Sequence, residues 1–230
     1  MIINVFKLII MQTDDIGGSS SWLETINKGG PVGYIIIALS LVAVALVVMH
    51  FMQIRRSALL PQDQLVMLEQ LLSQGKVEDA LSYSVDPKND TYLTRILAIG
   101  LLRYQRSAFG PFELKNAIEE AGDDQTSRLF RSTDALGLIG TIAPLLGLLG
   151  TVLGMVGAFE TLGQTASNSN AALAGNISEA LVTTLLGLVL AIPCLTLFSF
   201  FRNRIEGISA EASSEIERLV LHLEEYQGTT

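Results

Sequence analysis

Few residues of this chain combine an ionisable or hydroxyl side chain with apolar surroundings, and they limit the chemistry open to it. Asp134, Glu160 and Glu179 lie in or beside long apolar runs, and Thr151 and Thr184 lie inside them. An ionisable group near a bilayer is costly to bury, so it is a candidate for binding or moving an ion. The two threonine hydroxyls could add polar positions to the same pathway.

Each of these residues also has a purely structural explanation. The segment Asn176-Ile-Ser-Glu179 fits a capping box at a helix start, where a carboxylate also suits the helix dipole. From the residues alone, Glu179 is therefore equally a cap or part of an ion pathway. Glu160 fits an acid at the membrane interface, and a threonine hydroxyl commonly bonds to its own helix backbone.

Covalent catalysis is disfavoured, and we expect neither a cofactor nor a metal site. The only histidines are His50 and His222, and the single cysteine is Cys194, so no catalytic or metal-binding spacing is present. His50 ends an apolar run, where an interfacial role is the default. The glycines of the second apolar run lie within a helical pattern, which argues against a nucleotide-binding loop. A net charge of −8 argues against nucleic-acid binding.

Three apolar runs must position these residues. About half of the 230 residues are hydrophobic, at 49%, and the mean hydropathy is +0.44. The runs cover residues 32–54, 136–162 and 177–201, and a helix of about 20 apolar residues crosses a bilayer. The sequence therefore predicts an all-α integral membrane protein with three transmembrane helices, the last two continuing into a cytoplasmic helical bundle.

The segments between the runs have distinct patterns. Residues 1–31 are expected to form an N-terminal periplasmic or interfacial segment, with Trp22 as an anchor at the headgroup level. Residues 55–135 have helical apolar stripes and are expected to form a cytoplasmic helical region. Residues 163–176 are expected to form a periplasmic loop, and residues 202–230 a C-terminal helix.

Basic residues beside the runs predict the orientation. Arginines follow the first run, precede the second and follow the third, whereas the segment 163–176 has no Lys or Arg. They are Arg55, Arg56, Arg128, Arg131, Arg202 and Arg204. By the positive-inside rule, the N-terminus lies outside and the C-terminus lies in the cytoplasm. This predicts a multi-pass membrane protein.

Small residues form a face on each of the last two runs. Such a face gains nothing from lipid but lets another helix approach closely. The first face comprises Gly140, Pro144, Gly147, Thr151, Gly154 and Ala158, with Gly150 beside it, and the second comprises Ala180, Thr184, Gly187 and Ala191. Thr151 is 17 residues after Asp134 and Thr184 is 18 before Arg202, which puts both roughly 26 Å from the inner boundary.

No titratable residue lies in the middle of any run. If protons cross the membrane here, this chain alone lacks a central carrier. A partner would have to supply one, such as a carboxylate on its own helix.

The segment Ile142–Phe159, with Ala143-Pro144, Gly147-Leu-Leu-Gly150-Thr151 and Gly154-Met, resembles the ExbB/TolQ/MotA proton-channel family. So does Ile177–Pro193, with Glu179 and Thr184. Three spans and one large cytoplasmic loop look more like ExbB or TolQ than like MotA. By this resemblance, Glu179, Thr151 and Thr184 match the family's pore-facing glutamate and threonines.

The resemblance also implies a location in a bacterial inner membrane, a function and partners. It implies a homo-oligomer, a pentamer, around two single-span ExbD/TolR-like helices that supply an essential aspartate, with a TonB/TolA-like protein as a further partner. The complex would couple proton flow to work across the cell envelope, for example energised outer-membrane transport. A helix-packing scaffold without conduction and a MotA-like flagellar or gliding stator remain alternatives. A secondary transporter is disfavoured, since the chain shows no internal repeats. The driven process and the choice of H⁺ or Na⁺ stay open.

Overall fold

The computed structural model describes residues 29–106, 110–164 and 169–228 of the chain, and this part is helical without a strand. The predicted roles of residues 1–28, including Trp22, lie outside the described residues. The α-helices are α1 Gly30–Gln53, α2 Arg56–Leu59, α3 Gln62–Ser73, α4 Val77–Val85, α5 Tyr92–Arg106, α6 Gly110–Gln164 and α7 Ser169–Gly228. A short 3-10 helix, Pro87–Asn89, lies between α4 and α5.

Three of these helices contain segments long and apolar enough to cross a membrane. The segments are Gly30–Gln53 in α1, Phe112–Thr161 in α6 and Leu173–Leu221 in α7. In the most apolar 18-residue stretch of each segment, between 22% and 39% of the residues are buried within the chain. Their outward apolar side chains therefore suit lipid or neighbouring subunits. The predicted all-α membrane fold is confirmed.

The two longest helices run without a break far beyond the predicted spans 136–162 and 177–201, as the sequence pattern predicted. Helix α6 has 55 residues and α7 has 60, with Pro144 and Pro193 inside them.

The boundary between these two helices differs from the prediction. Residues 169–176, expected to belong to a loop, form the first two turns of α7. Ala171, Ala172, Leu173 and Ala174 are strong helix formers, and their propensity outweighs the polar residues around them.

The chain divides into two compact units. The first, here called the span unit, comprises, among the described residues, 29–43 and those of Ile139–Cys194. The second, here called the bundle unit, comprises Val44–Leu138 and Leu195–Thr230. Helices α1, α6 and α7 each contribute to both units, whereas α2 to α5 belong to the bundle unit alone.

The bundle unit has a leucine- and isoleucine-rich core. Among the residues at most 2% exposed are Leu65, Leu68, Leu72, Leu93, Ile96, Leu97, Leu101, Leu114, Ile205, Ile216 and Leu219. Three hydroxyls connect α5, α6 and α7 within this unit: Tyr92 Oη lies 2.9 Å from Thr126 Oγ1 and 3.0 Å from Ser209 Oγ. The core and this hydroxyl cluster fix the three helices against one another.

Ion pairs lie on the surface of the bundle unit. Arg95 donates to both carboxylate oxygens of Asp90 at 2.5 and 2.6 Å, and this bonding holds the pKa of Asp90 below its usual value. Both side chains are half exposed, so solvent screening keeps the contribution to stability small.

Candidate functional site

Glycines let the apolar parts of α6 and α7 approach closely in the span unit. A Cβ built on Gly187 would lie 2.5 Å from the Ala143 carbonyl oxygen, and one on Gly147 would lie 3.0 Å from Thr184 Cα. A Cβ on Gly154 would lie 2.8 Å from the Ala180 Cβ. Backbone therefore packs on backbone along this interface, a geometry that only small residues allow.

The interface contains most of the predicted small-residue faces and adds two residues to them, Ala143 and Thr183. Ala143, Gly150 and Thr183 are buried at its centre, while Thr151 and Thr184 are only half-buried at its edge. Of the other predicted face residues, Gly140, Gly147, Gly187 and Ala191 are buried, and Pro144 and Gly154 are half-buried.

Thr183 was missed by the sequence analysis. Its hydroxyl donates to the Ala180 carbonyl of its own helix at 2.8 Å, and its side chain fills the space beside Gly150. Its position three residues after Ala180 and four before Gly187, a helical spacing of small residues, was the available signal.

The hydroxyls of Thr151 and Thr184 lie at one level of the interface. Thr151 Oγ1 donates to the Leu148 carbonyl at 2.6 Å, and Thr184 Oγ1 donates to the Gly147 carbonyl at 3.1 Å. The two acceptors belong to consecutive residues of α6, so the structure brings these hydroxyls to the same height. Each oxygen also keeps acceptor capacity after donating its hydrogen.

Glu179 lies apart from the two threonines. It is half-buried, and its carboxylate lies directly against Gly30 at the start of α1. A carboxylate is stabilised near a helix N-terminus by the helix dipole. Along α7, five residues or about 7.5 Å of axial rise separate Glu179 from Thr184.

The capping box predicted at Asn176 is wrong. Helix α7 begins at Ser169, so Asn176 lies in its interior, where backbone N–H groups already have helical partners. The Asn176 side-chain amide instead donates to Thr161 Oγ1 on α6 at 3.3 Å. Glu179 therefore does not cap its own helix, and it lies instead at the N-terminal end of another.

The remaining ionisable candidates lie on exposed positions. Glu160 and Asp134 are both exposed on α6. Among the residues that the structure describes, no group of His, Cys, Asp or Glu side chains clusters as a metal site would. His50, expected at an interface, is instead fully buried, because its ring bonds to two backbone carbonyls and packs on Phe201.

The helices and their small-residue packing define an α-helical protein of the membrane with two long helices that pair through their apolar parts. Comparison with known families identifies which family of membrane proteins this is. A model of the MotA/TolQ/ExbB proton channel family matches residues 88–214, more than half of the chain. The chain belongs to this family.

Several curated protein sequences are similar to it. Biopolymer transport protein ExbB of Pseudomonas putida is 35% identical over 121 residues, which cover 51% of this chain and 36% of that protein. ExbB of Xanthomonas campestris is 41% identical over 95 residues, covering 41% of this chain and 38% of that protein. A putative ExbB homologue of Methanothermobacter thermautotrophicus is 29% identical over 187 residues, which cover 80% of this chain and 64% of that protein. The matches thus span little more than a third of the two bacterial relatives.

A solved structure has the same fold. A chain in the structure of C. jejuni MotAB aligns with a TM-score of 0.54 and 16% identity, covering 96% of this chain and 85% of that one. At this identity the likeness concerns the fold alone.

Proposed function

We propose that this chain is the channel-forming subunit of an ion-driven stator complex in a bacterial inner membrane. Several copies, five by the family resemblance, would surround single-span partner helices of the ExbD/TolR kind. Ion flow between these partner helices and the edge of the α6–α7 interface would drive work across the cell envelope, such as energised outer-membrane transport. The arginine distribution predicts that the N-terminus lies outside the membrane and the C-terminus lies in the cytoplasm.

The observation that carries this proposal is the pair of half-buried hydroxyls at one level. Thr151 and Thr184 donate to consecutive carbonyls of α6, at the edge of an interface whose centre is filled by small residues. A hydroxyl that is half-buried can still offer its oxygen to a water or an ion. Glu179, about 7.5 Å further along α7, would add a carboxylate towards one end of the pathway.

A partner must complete the pathway. No Asp, Glu, Lys, Arg or His lies between residues 135 and 159 or between residues 180 and 201. A proton crossing this stretch needs a titratable group, so the partner helix would present an aspartate opposite the two threonines.

A scaffold without conduction is the second candidate. Two observations favour it: both threonine hydroxyls donate hydrogen bonds to backbone carbonyls, and the glycines pack closely. Helix packing alone explains both, without an ion. The two functions differ in what the hydroxyl oxygens do, and isosteric replacement separates them.

The test replaces Thr151 and Thr184 with valine, singly and together. The chain would be purified with a single-span protein of the ExbD/TolR kind from the same organism and reconstituted into liposomes. Proton uptake would be followed with a pH-sensitive dye under an imposed potential. We expect proton flux to fall about tenfold or more, because a lost hydrogen-bonding site costs on the order of 1.4 kcal/mol in the barrier. Assembly, counted by native mass spectrometry, should be unchanged.

Thr183→Val is the matched control, since Thr183 is buried and its hydroxyl bonds only within its own helix turn. It should conduct like the unmodified chain. Normal flux in the Thr151→Val/Thr184→Val double variant would contradict the channel and favour the scaffold. Repeating the assay with Na⁺ replaced by K⁺ distinguishes the two candidate ions.

A further inference from the structure

Helix α7 carries an arginine at the point where its apolar run ends. Arg202 directly follows the predicted span 177–201. As a helix this span rises about 37 Å, which exceeds the roughly 30 Å hydrocarbon core of a bilayer. Arg202 is therefore expected at the level of the lipid headgroups, on the side that the arginine distribution predicts to be cytoplasmic.

Two aromatic rings hold the guanidinium of Arg202. Its Cζ lies 4.6 Å from the centroid of the Phe130 ring on α6 and 5.6 Å from that of the Phe198 ring on its own helix. All three residues belong to the bundle unit. A ring attracts a cation over its face through the ring quadrupole, and it takes up none of the N–H groups at the guanidinium edge. The rings therefore orient Arg202 without satisfying its hydrogen-bond donors.

Arg202 also has no carboxylate partner among the residues that the structure describes. Asp134 on α6 and Glu206 on α7, each one helical turn from this contact, are exposed and do not pair with it. Five other arginines of the bundle unit do pair with a carboxylate: Arg56 with Glu211, Arg95 with Asp90, Arg103 with Glu120, Arg128 with Asp124 and Arg218 with Glu215.

Burial distinguishes Arg202 from the remaining arginines without a carboxylate partner. It is half-buried, whereas the others are exposed, namely Arg55, Arg106, Arg131 and Arg204. Water solvates an exposed guanidinium fully, but a half-buried one has lost part of that hydration. An anion that reaches its N–H edge would replace the lost hydration.

We propose that Arg202 binds the phosphate of a phospholipid headgroup in the cytoplasmic leaflet. A guanidinium presents parallel N–H donors that match two oxygens of a phosphate, and the negative surface potential of this leaflet favours a cation there. Because the two rings fix the direction of the donors, they position the guanidinium for this contact. The site is separate from Thr151, Thr184 and Glu179, and it does not depend on ion conduction.

Arg204 is the matched control for charge. It lies two residues further along α7, is exposed, and is stacked on no aromatic ring of the described residues. Lysine in place of either arginine keeps the positive charge but removes the planar pair of donors. A general attraction of anionic lipid to positive charge is therefore the same in Arg202→Lys and Arg204→Lys, whereas the proposed contact is lost only in Arg202→Lys.

Native mass spectrometry of the full-length chain in a neutral detergent tests the proposal. The chain is titrated with phosphatidylglycerol, or with a glycolipid that has the same acyl chains and no phosphate. We expect the first phosphatidylglycerol to bind at least about tenfold more tightly than the glycolipid, because hydrogen bonds to charged groups are strong. Equal affinities in the unmodified chain would overturn the proposal, and this comparison requires no variant to fold.

The lysine variants then locate the site. Arg202→Lys should weaken the first phosphatidylglycerol about tenfold, while Arg204→Lys should bind it like the unmodified chain. Equal losses in the two variants would show a general charge effect and overturn the proposal.

Phe130 is tested as a positioning residue. Phe130→Leu removes the ring face under Arg202 and should weaken phosphatidylglycerol binding about threefold, whereas Phe130→Tyr keeps the ring and should restore it. Thermal unfolding followed by circular dichroism checks that both variants fold. Equal binding by the two variants would contradict the positioning role.

Two further measurements identify the source of the anion. Inorganic phosphate in tenfold excess over the lipid should not displace it, because free phosphate lacks the acyl chains that hold a headgroup at the membrane. Displacement would assign the site to free phosphate and overturn the lipid assignment. If Arg202 instead pairs with an acid of a neighbouring copy, Arg202→Lys would change the number of chains in the complex and leave lipid binding unchanged, which would also overturn it.

Discussion

At the residue scale, the contact between Gly30 and Glu179 is the most constrained point of the span unit. Gly30 begins α1 with φ +54°, in the left-handed region that side chains rarely adopt. A Cβ at this position would overlap the Glu179 carboxylate. Glycine is therefore required here both by the backbone conformation and by the approach of an acid to the helix end.

Gly30→Ala should destabilise the chain through both effects. The left-handed backbone alone costs roughly 1–2 kcal/mol for a residue with a Cβ, and displacement of Glu179 adds to it. We expect a lower midpoint in thermal unfolding of the protein in nanodiscs, followed by circular dichroism. Gly175→Ala is the control, because a Cβ on Gly175 would meet nothing within 4 Å.

A double variant separates the two causes. Glu179→Ala removes the overlapping carboxylate, so Gly30→Ala should cost less in that background than in the unmodified chain. An equal cost in both backgrounds would show that Glu179 does not lie against Gly30.

At the element scale, the pairing of α6 with α7 depends on the absence of side chains. Gly147 and Gly187 face each other across the interface, with a Cβ on Gly187 placed 3.3 Å from the Gly147 Cα. Lipid offers no hydrophobic drive for helix association, so close packing and backbone contacts must supply it. The same packing sets the height of Thr184, whose hydroxyl reaches the Gly147 carbonyl.

Gly187→Ala should weaken this pairing. The added methyl meets the Ala143 carbonyl oxygen, a backbone atom that cannot move aside cheaply, and such overpacking typically costs about 1–3 kcal/mol. We expect earlier unfolding in a denaturing-detergent titration followed by circular dichroism. Gly207→Ala has open space around its Cβ and should be neutral or stabilising by up to about 1 kcal/mol, from helix propensity. Equal behaviour of the two variants would contradict the packing shown here.

At the scale of the whole molecule, the outward surface of the spans requires covering. Large apolar side chains are more than half exposed on all three spans, including Leu41, Leu145, Phe159 and Leu181. Lipid can cover such a surface, and so can neighbouring copies of the chain. In the proposed stator, lipid covers the outer surface of the ring and neighbouring copies cover the rest, because the pathway would lie where several copies surround a partner helix.

Co-purification with a single-span protein of the ExbD/TolR kind should therefore yield a ring of five 24.8-kDa chains holding partner helices. Native mass spectrometry from nanodiscs would count both components. Replacing the partner's transmembrane aspartate with asparagine should leave this count unchanged while abolishing proton uptake. A monomer or dimer of this chain that still takes up protons would contradict the proposed assembly.

The sequence alone determined the helical membrane fold and its family, because apolar length and small-residue spacing are local properties of the chain. It predicted the long helices α6 and α7 from unbroken periodicity, but misplaced the start of α7 at Asn176, where polar residues imitate a cap. The tertiary structure decided which atoms meet. Thr183 lies in the interface together with Thr184, Glu179 lies against Gly30, and His50 is buried between two carbonyls. These contacts join residues distant in the chain, and the rotation of each helix about its axis sets them. That rotation depends on the packing of every neighbour at once, which no single stretch of sequence encodes.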